Sequence, residues 1–402
     1  MRGGGLACLV ALAASGCTLV SSLDDYRFDG EPRDGGGMDA AVEDGGLGED
    51  GGAEDGGSLD DGGSGEDGGT GEDGGVDDGG SSCGALGEAC CADSTCDSSL
   101  VCGEGWTQRT PATSPNARFD AALAHDAARG RTVLFGGWDG STAYQDTWEW
   151  NGTDWEDVTP GSTSPPARSR HSMAFDSTRD VVVLFGGWDG SDHFDDTWTW
   201  DGTSWTEHSP PTSPSGRTYS ELAFDPVRER VVLFGGYDGT DYLSDTWEWD
   251  GSDWTQMSPD DRPRARSSHG LTYDAARGQV VLFGGRDGPT RLDDTWLWDG
   301  THWTEASPGT TPPAREATLT YDARRERAFL FGGWDGSATR DDTWQWNGID
   351  WAPITGGSPA ARSSLLLAYD AGRSRVVLFG GRAGGALDDT WEWVEPGVCG
   401  DR

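Results

Sequence analysis

Between Phe135 and Trp393 the chain writes one pattern six times: an apolar run ending in Phe-Gly-Gly, a loop, then Asp-Thr-Trp-x-Trp. The Phe falls at Phe135, Phe185, Phe234, Phe283, Phe331 and Phe379, a period of 48 to 50 residues. Asp-Thr-Trp opens at Asp146, Asp196, Asp245, Asp294, Asp342 and Asp389. Self-similarity at this length marks a unit that cannot bury its apolar surface alone and must stack on copies of itself. The pattern constrains the fold far more than it constrains a ligand.

Each repeat parses into four segments, which in the second copy cover 168–176, 181–187, 196–200 and 205–210 and are called a, b, c and d. Segment b, Val-Val-Val-Leu-Phe, is continuously apolar, as in a strand buried on both faces. Segment c alternates Trp198 and Trp200 with Thr197 and Thr199. Asp201-Gly202-Thr203-Ser204 between c and d reads as a tight hairpin loop. Four short antiparallel strands per repeat, arranged radially, make an all-β propeller of six blades.

The count also locates the closure. The Trp of segment d follows c five times, at Trp155, Trp205, Trp254, Trp303 and Trp351, and none follows Trp393. Trp106-Thr107-Gln108-Arg109-Thr110-Pro111 matches the spacing of Trp155 to Pro160. The sixth blade is therefore expected to take strand c from the C-terminus and strand d from the N-terminal side, leaving no free edge.

Residues 119–393 resemble kelch repeats, as in the central domain of galactose oxidase and other bacterial kelch proteins. The matching residues are the Arg before each segment a (with His171 and His269 three later), Phe-Gly-Gly, Asp-Thr-Trp-x-Trp and the Trp of segment d. The resemblance implies a six-bladed kelch-type β-propeller. It does not choose a function, because kelch domains include enzymes, peptide binders and sugar binders. A Tyr–Cys crosslinked copper centre like that of galactose oxidase is excluded, since 103–398 contains no Cys.

Charge divides the chain of 402 residues, whose formal net charge is −41. Between Asp24 and Asp78 stand 20 acidic residues against Arg27 and Arg33, mostly in Glu-Asp-Gly-Gly and Asp-Asp-Gly-Gly units. Such a stretch has little to bury and repels itself, so 17–82 is expected to be a disordered tether. Gly- and Asp-rich repeats of β-rolls bind calcium, but this tract lacks their regular apolar position. The 29 basic residues are all Arg, and the acidic excess argues against a nucleic-acid partner.

Met1-Arg2 and the short apolar run after it read as an export signal over 1–16, too short to span a bilayer. Ala14-Ser15-Gly16-Cys17 resembles a bacterial lipobox, which implies lipidation of Cys17, an outer-membrane anchor and a periplasmic or cell-surface protein. Plain secretion is the alternative. Cys83, Cys90, Cys91, Cys96 and Cys102 form a small module over 83–102, with Cys399 at the far end. In an exported chain these six read as three disulfides rather than a metal site. The seam places Cys102 and Cys399 where the other blades carry a c–d hairpin, so Cys102–Cys399 is the favoured pair. That bridge closes a loop of about 300 residues, worth several kcal/mol in the loop-entropy account.

The propeller, 103–399, has two faces. The d–a and b–c loops share a far face; the a–b turns and c–d hairpins share a near face with both termini. Arg118, Arg168, Arg217, Arg266, Arg315 and Arg362 begin segment a on the far face. As the innermost strand, segment a would set them around the axial opening. They suit an anion site, or each pairs with the Asp opening strand c; repetition in every copy favours the pairing. The residue after Gly-Gly differs between copies: Trp138, Trp188, Tyr237, Arg286, Trp334 and Arg382. These are candidate ligand contacts, the alternative being that they cap the ends of strand b.

The Asp-Gly that follows reads as a turn, and calcium there would need several converging oxygens. The six histidines lack ligand spacing. No nucleophile elbow, metal-ligand motif or phosphate loop is present, so no cofactor is expected, with calcium as the alternative, and catalysis is not favoured. The expectation is a monomeric, surface-tethered recognition module for a glycan or for an envelope or extracellular protein. Alternatives are a sugar-acid enzyme resembling kelch-type epimerases, using Arg168 and His171, and a structural envelope interaction protein.

Overall fold

The apolar run of each repeat becomes the second strand of a four-stranded antiparallel sheet in the computed structural model, which describes residues 100–102, 105–394 and 399–401. The expectations for Cys17, Cys83, Cys90, Cys91 and Cys96, the export signal and the tether lie outside the described residues. In the second blade the strands are Ser172–Asp176, Val181–Phe185, Thr197–Trp200 and Trp205–His208, hydrogen-bonded in chain order. Strand a thus begins four residues after Arg168, because the backbone at Arg170 turns to a φ of 63° and leaves the extended conformation.

Every core position of strand b is fully buried because each face meets a different neighbour. Val182 and Leu184 pack with Val133 and Phe135 of the first blade, while Val183 and Phe185 pack with Leu222 and Val231 of the third. Six such clusters fill the gaps between successive blades, and the one joining Leu134 and Trp155 to Val377 and Phe379 closes the ring.

The seam is built as the count requires. The sixth sheet takes Leu366–Asp370, Arg375–Phe379 and Thr390–Val394 from the C-terminal side and Gly105–Arg109 from the N-terminal side. Trp106 stands opposite Trp393 in register. Beside it, Leu100–Cys102 and Cys399–Asp401 form a two-stranded antiparallel ladder with Cys102 opposite Cys399.

Asp-Thr-Trp repeats because each residue has a partner to meet. The Thr hydroxyl accepts the indole N–H of the next blade's strand-d Trp: Trp155 to Thr390, Trp205 to Thr147, Trp254 to Thr197, Trp303 to Thr246, Trp351 to Thr295 and Trp106 to Thr343, at 2.9–3.3 Å. The first Trp donates to the Asp two residues before it at 2.7–2.8 Å.

The near face has its own latch. Arg129, Arg179, Arg228, Arg277 and Arg373 each pair with the Asp ending strand a, three residues earlier. They then lie across Gly202, Gly251, Gly300, Gly348 and Gly152 in the following blade's c–d hairpin. Those glycines sit at φ of 92–103°, where a side chain would be strained and would collide with the guanidinium.

Candidate functional site

The first arginine ring belongs to the frame. Arg118, Arg168, Arg217, Arg266, Arg315 and Arg362 are all buried. Each forks onto the carboxylate opening strand c of its own blade, both bonds between 2.5 and 3.0 Å. Arg168 also donates to the carbonyls of Gly186 and Pro166. Burial works to raise the carboxyls of Asp245, Asp294, Asp342 and Asp389, but their arginine and indole hydrogen bonds outweigh it and hold them low. The geometry is that of the pairing alternative, with the guanidiniums turned into the blades rather than toward the axis.

His171 and His269 are also packed inside. Their rings meet Phe135 and Phe234 edge-on at 5.5 Å, and His171 Nε2 lies 3.1 Å from the Phe135 carbonyl. Burial, reinforced by the charges of Arg168 and Arg266, lowers both to about 3. Both are neutral at ordinary pH, wedged between blades.

The axis itself is lined by positions that the sequence reading passed over, two residues beyond each framing arginine. There the backbone turns left-handed at Asp120, Arg170, Tyr219, Ser268 and Ser364, with φ of 49–63°. This conformation costs a side-chain-bearing residue about 1–2 kcal/mol. It aims the peptide groups around the axis. Arg170 N–H donates to Asp120 O (2.6 Å), Tyr219 to Arg170 O (2.9 Å), Ser268 to Tyr219 O (3.0 Å), Ala317 to Ser268 O (3.0 Å) and Asp120 to Ser364 O (3.4 Å). At the remaining junction the Thr318 hydroxyl donates to Leu365 O at 3.3 Å. Strain maintained in this way tends to occur where a protein presents functional groups.

Inside this belt is a cavity of about 70 Å³ whose lining includes Asp120, Arg170, Tyr219, Glu221, Glu316 and Thr318. Arg170 Nε lies 3.3 Å from Asp120 Oδ2, to which the Tyr219 hydroxyl also donates at 3.2 Å. The Arg170 guanidinium stands 5.0 Å from the Trp188 ring and 5.1 Å from that of Tyr219. Burial, with the Asp120 charge beside it, raises the Tyr219 phenol so that it stays protonated. Glu316 receives Arg291 at 2.9 Å. Glu221 differs from all of these: burial alone pushes its carboxyl up to about 8.

The post-Gly-Gly residues form an outer ring on the same face. Their backbones bridge to the residue after each framing arginine: Phe119 to Trp138, Ser169 to Trp188, Thr218 to Tyr237, Ser267 to Arg286, Glu316 to Trp334 and Ser363 to Arg382. Trp138, Trp188, Tyr237, Arg286 and Trp334 are half-buried and Arg382 is exposed. They cap the ends of strand b through the backbone while showing part of each side chain to solvent. The Asp-Gly turns close on themselves, Asp139 Oδ1 accepting the Ser141 and Thr142 N–H groups at 2.7 Å. Burial opposes ionisation of Asp139, yet these bonds lower it to about 2. Among the described residues no three His, Cys, Asp or Glu side chains are placed to hold a metal ion.

Two residues beyond the framing arginine the copies carry acid, base, phenol, hydroxyl, methyl and hydroxyl in turn. That spread was the available signal for the cavity.

The comparison with curated proteins returns no match. The KLHDC2/KLHL20/DRC7 Kelch-repeats domain matches residues 101–260 and again 249–393, from the N-terminal edge of the seam to the last strand of the sixth blade. With the repeat, the closure and the framing arginines in place over most of its length, the chain belongs to the KLHDC2/KLHL20/DRC7 kelch-repeat family.

Proposed function

We propose that this chain is a non-enzymatic recognition module, exported and tethered to the outer membrane through Cys17, whose far face binds a protein partner at the axial mouth. The observation that carries the reading is the axial cavity. It is the place where a frame saturated with repeated contacts presents five kinds of side chain at six equivalent positions, from Asp120 to Ser364. A kelch propeller is suited to protein interaction, and a tether leaving the near face would turn this surface outward. The sugar-acid enzyme alternative loses support because Arg168 is spent on Asp196 and His171 is a buried neutral wedge.

Size favours protein over glycan. A cavity of about 70 Å³ is smaller than the roughly 150 Å³ that encloses benzene, which suits a slender protruding side chain better than a whole sugar ring. The part-exposed indoles of Trp138, Trp188 and Trp334 keep a glycan as the second reading, since sugars stack on such faces.

Parallel peptide and glycan arrays probed with the full mature chain test this. Peptide binding weakened at least tenfold by Trp188→Ala and unchanged by Ile349→Ala, on the near face, is expected. Binding of glycans without peptides, or binding lost with Ile349→Ala alone, would overturn it.

A further inference from the structure

Glu221 opens strand a of the third blade, where the other copies carry Ala122, Ser172, Gly270, Leu319 or Leu366. Glu221 lines the axial cavity, and burial is the sole influence on its ionisation. It forms no hydrogen bond or ion pair with any other described side chain. The side chain is half-buried, and a carboxyl partly withdrawn from water is ordinarily paired. The neighbouring charges are already matched: Asp120 holds Arg170 and the Tyr219 hydroxyl, and Glu316 holds Arg291 with Arg286 at 3.8 Å. His171, also in the lining, is neutral. Three carboxyl groups therefore face the cavity against one guanidinium, and the group left over is an acid.

We propose that the axial cavity receives the ammonium group of a lysine side chain on the partner protein, with Glu221 as its counter-charge. The inference rests on the protein-recognition reading above. A lysine stem is slender enough for a cavity of this size, and Ala121, Ala317 and Leu365 line it with apolar surface for the methylenes. The Ser220 and Thr318 hydroxyls, also in the lining, can accept ammonium N–H groups. Entry of the cation ionises the acid: the Glu221 O–H bond breaks, its proton leaves to solvent, and the carboxylate pairs with the ammonium. The groups facing Glu221 around the axis are Asp120, Arg170, His171, Tyr219 and Glu316. Burial lowers His171 and raises Tyr219, away from the range between pH 6 and 8, and the Glu221→Gln variant assigns the linkage.

Calorimetric titration of the full mature chain with blocked pentapeptides tests the assignment, the central residue being lysine, arginine or norleucine. A norleucine peptide with a free amino end distinguishes a side-chain amine from a terminal one. The lysine peptide should bind at least tenfold more tightly than each of the others. It should release about one proton at pH 7 and gain close to tenfold in affinity per pH unit from 6 towards 8. Glu221→Gln should abolish the preference and the proton release while retaining the wild-type melting transition at pH 6, and Glu221→Asp should retain part of both. Equal binding of lysine and norleucine peptides, no proton release, or preference for the free amino end would overturn the lysine site. If other peptides still bind in a Trp188-dependent way, protein recognition stands and only this inference falls; if no peptide binds, both fall.

Discussion

The indole N–H of Trp106 donates to the Thr343 hydroxyl at 3.3 Å, across 237 residues of sequence. It is the same bond that Trp155 makes to Thr390 on the other side of the seam at 2.9 Å. The N-terminal strand therefore completes the sixth blade and grips the fifth. Trp106 also meets Phe329, Phe331 and Trp393 with ring centroids 5.1–5.8 Å apart. Trp106→Ala should cost about 3–5 kcal/mol, the range for truncating a buried aromatic. Equilibrium denaturation reads the cost, and a loss below about 1 kcal/mol would mean that the ring does not depend on this strand.

Arg168 and Asp196 offer a second test. Removing one partner of a buried, hydrogen-bonded ion pair typically costs about 3–5 kcal/mol, because the other is left uncompensated. Arg168→Ala should therefore lower the denaturation midpoint strongly. Arg168→Lys should recover only part of it, since an ammonium cannot reproduce the two-pronged contact. A neutral Arg168→Ala would return the framing arginines to the list of surface ligands.

At the seam, Cys102 and Cys399 are direct partners in an antiparallel ladder. Such partners have Cα atoms about 4.5–5.5 Å apart, inside the range a disulfide spans. Peptide mapping without reduction should recover the two cysteines in one linked fragment. Cys399 found free, or linked to another molecule, would contradict the bridge.

Stability should depend on pH in two opposed ways. His171 and His269 are held neutral to about 3, whereas the unfolded chain protonates them below about 6.5, so stability falls as pH drops through that window. Glu221 keeps its proton up to about 8 when folded and releases it near 4.5 when unfolded, so stability also falls as pH rises between those values. Thermal midpoints from pH 5 to 9 should peak near 6.5 from these three groups, and Glu221→Gln should flatten the alkaline limb. An unchanged alkaline slope in that variant would show that the carboxyl is not isolated.

The repeat made the ring legible because each motif residue satisfies a contact that every blade needs. Phe-Gly-Gly ends a strand packed on both sides. Thr147 and its equivalents await the next blade's indole, and the missing sixth Trp identified the seam. The cavity was less legible, because Asp120, Arg170 and Tyr219 adopt left-handed backbone without the glycine that usually announces it. Glu221's isolation is further from the sequence still. It depends on what five other blades place around one axis, and on Asp120 and Glu316 having satisfied their neighbours first. The third blade adds a local departure: strands Arg230–Tyr237 and Tyr242–Trp249 extend through the Gly-Gly loop with a bulge between Phe234 and Gly236.

Recognition of a protein at the far face can be read by hydroxyl-radical footprinting of the full mature chain with and without a peptide selected on the array. Protection of Trp138, Trp188, Tyr237 and Trp334 is expected, with Val227 and Ile349, exposed apolar residues on the near face, labelled as before. Protection of Val227 and Ile349 with the four far-face rings unchanged would contradict it.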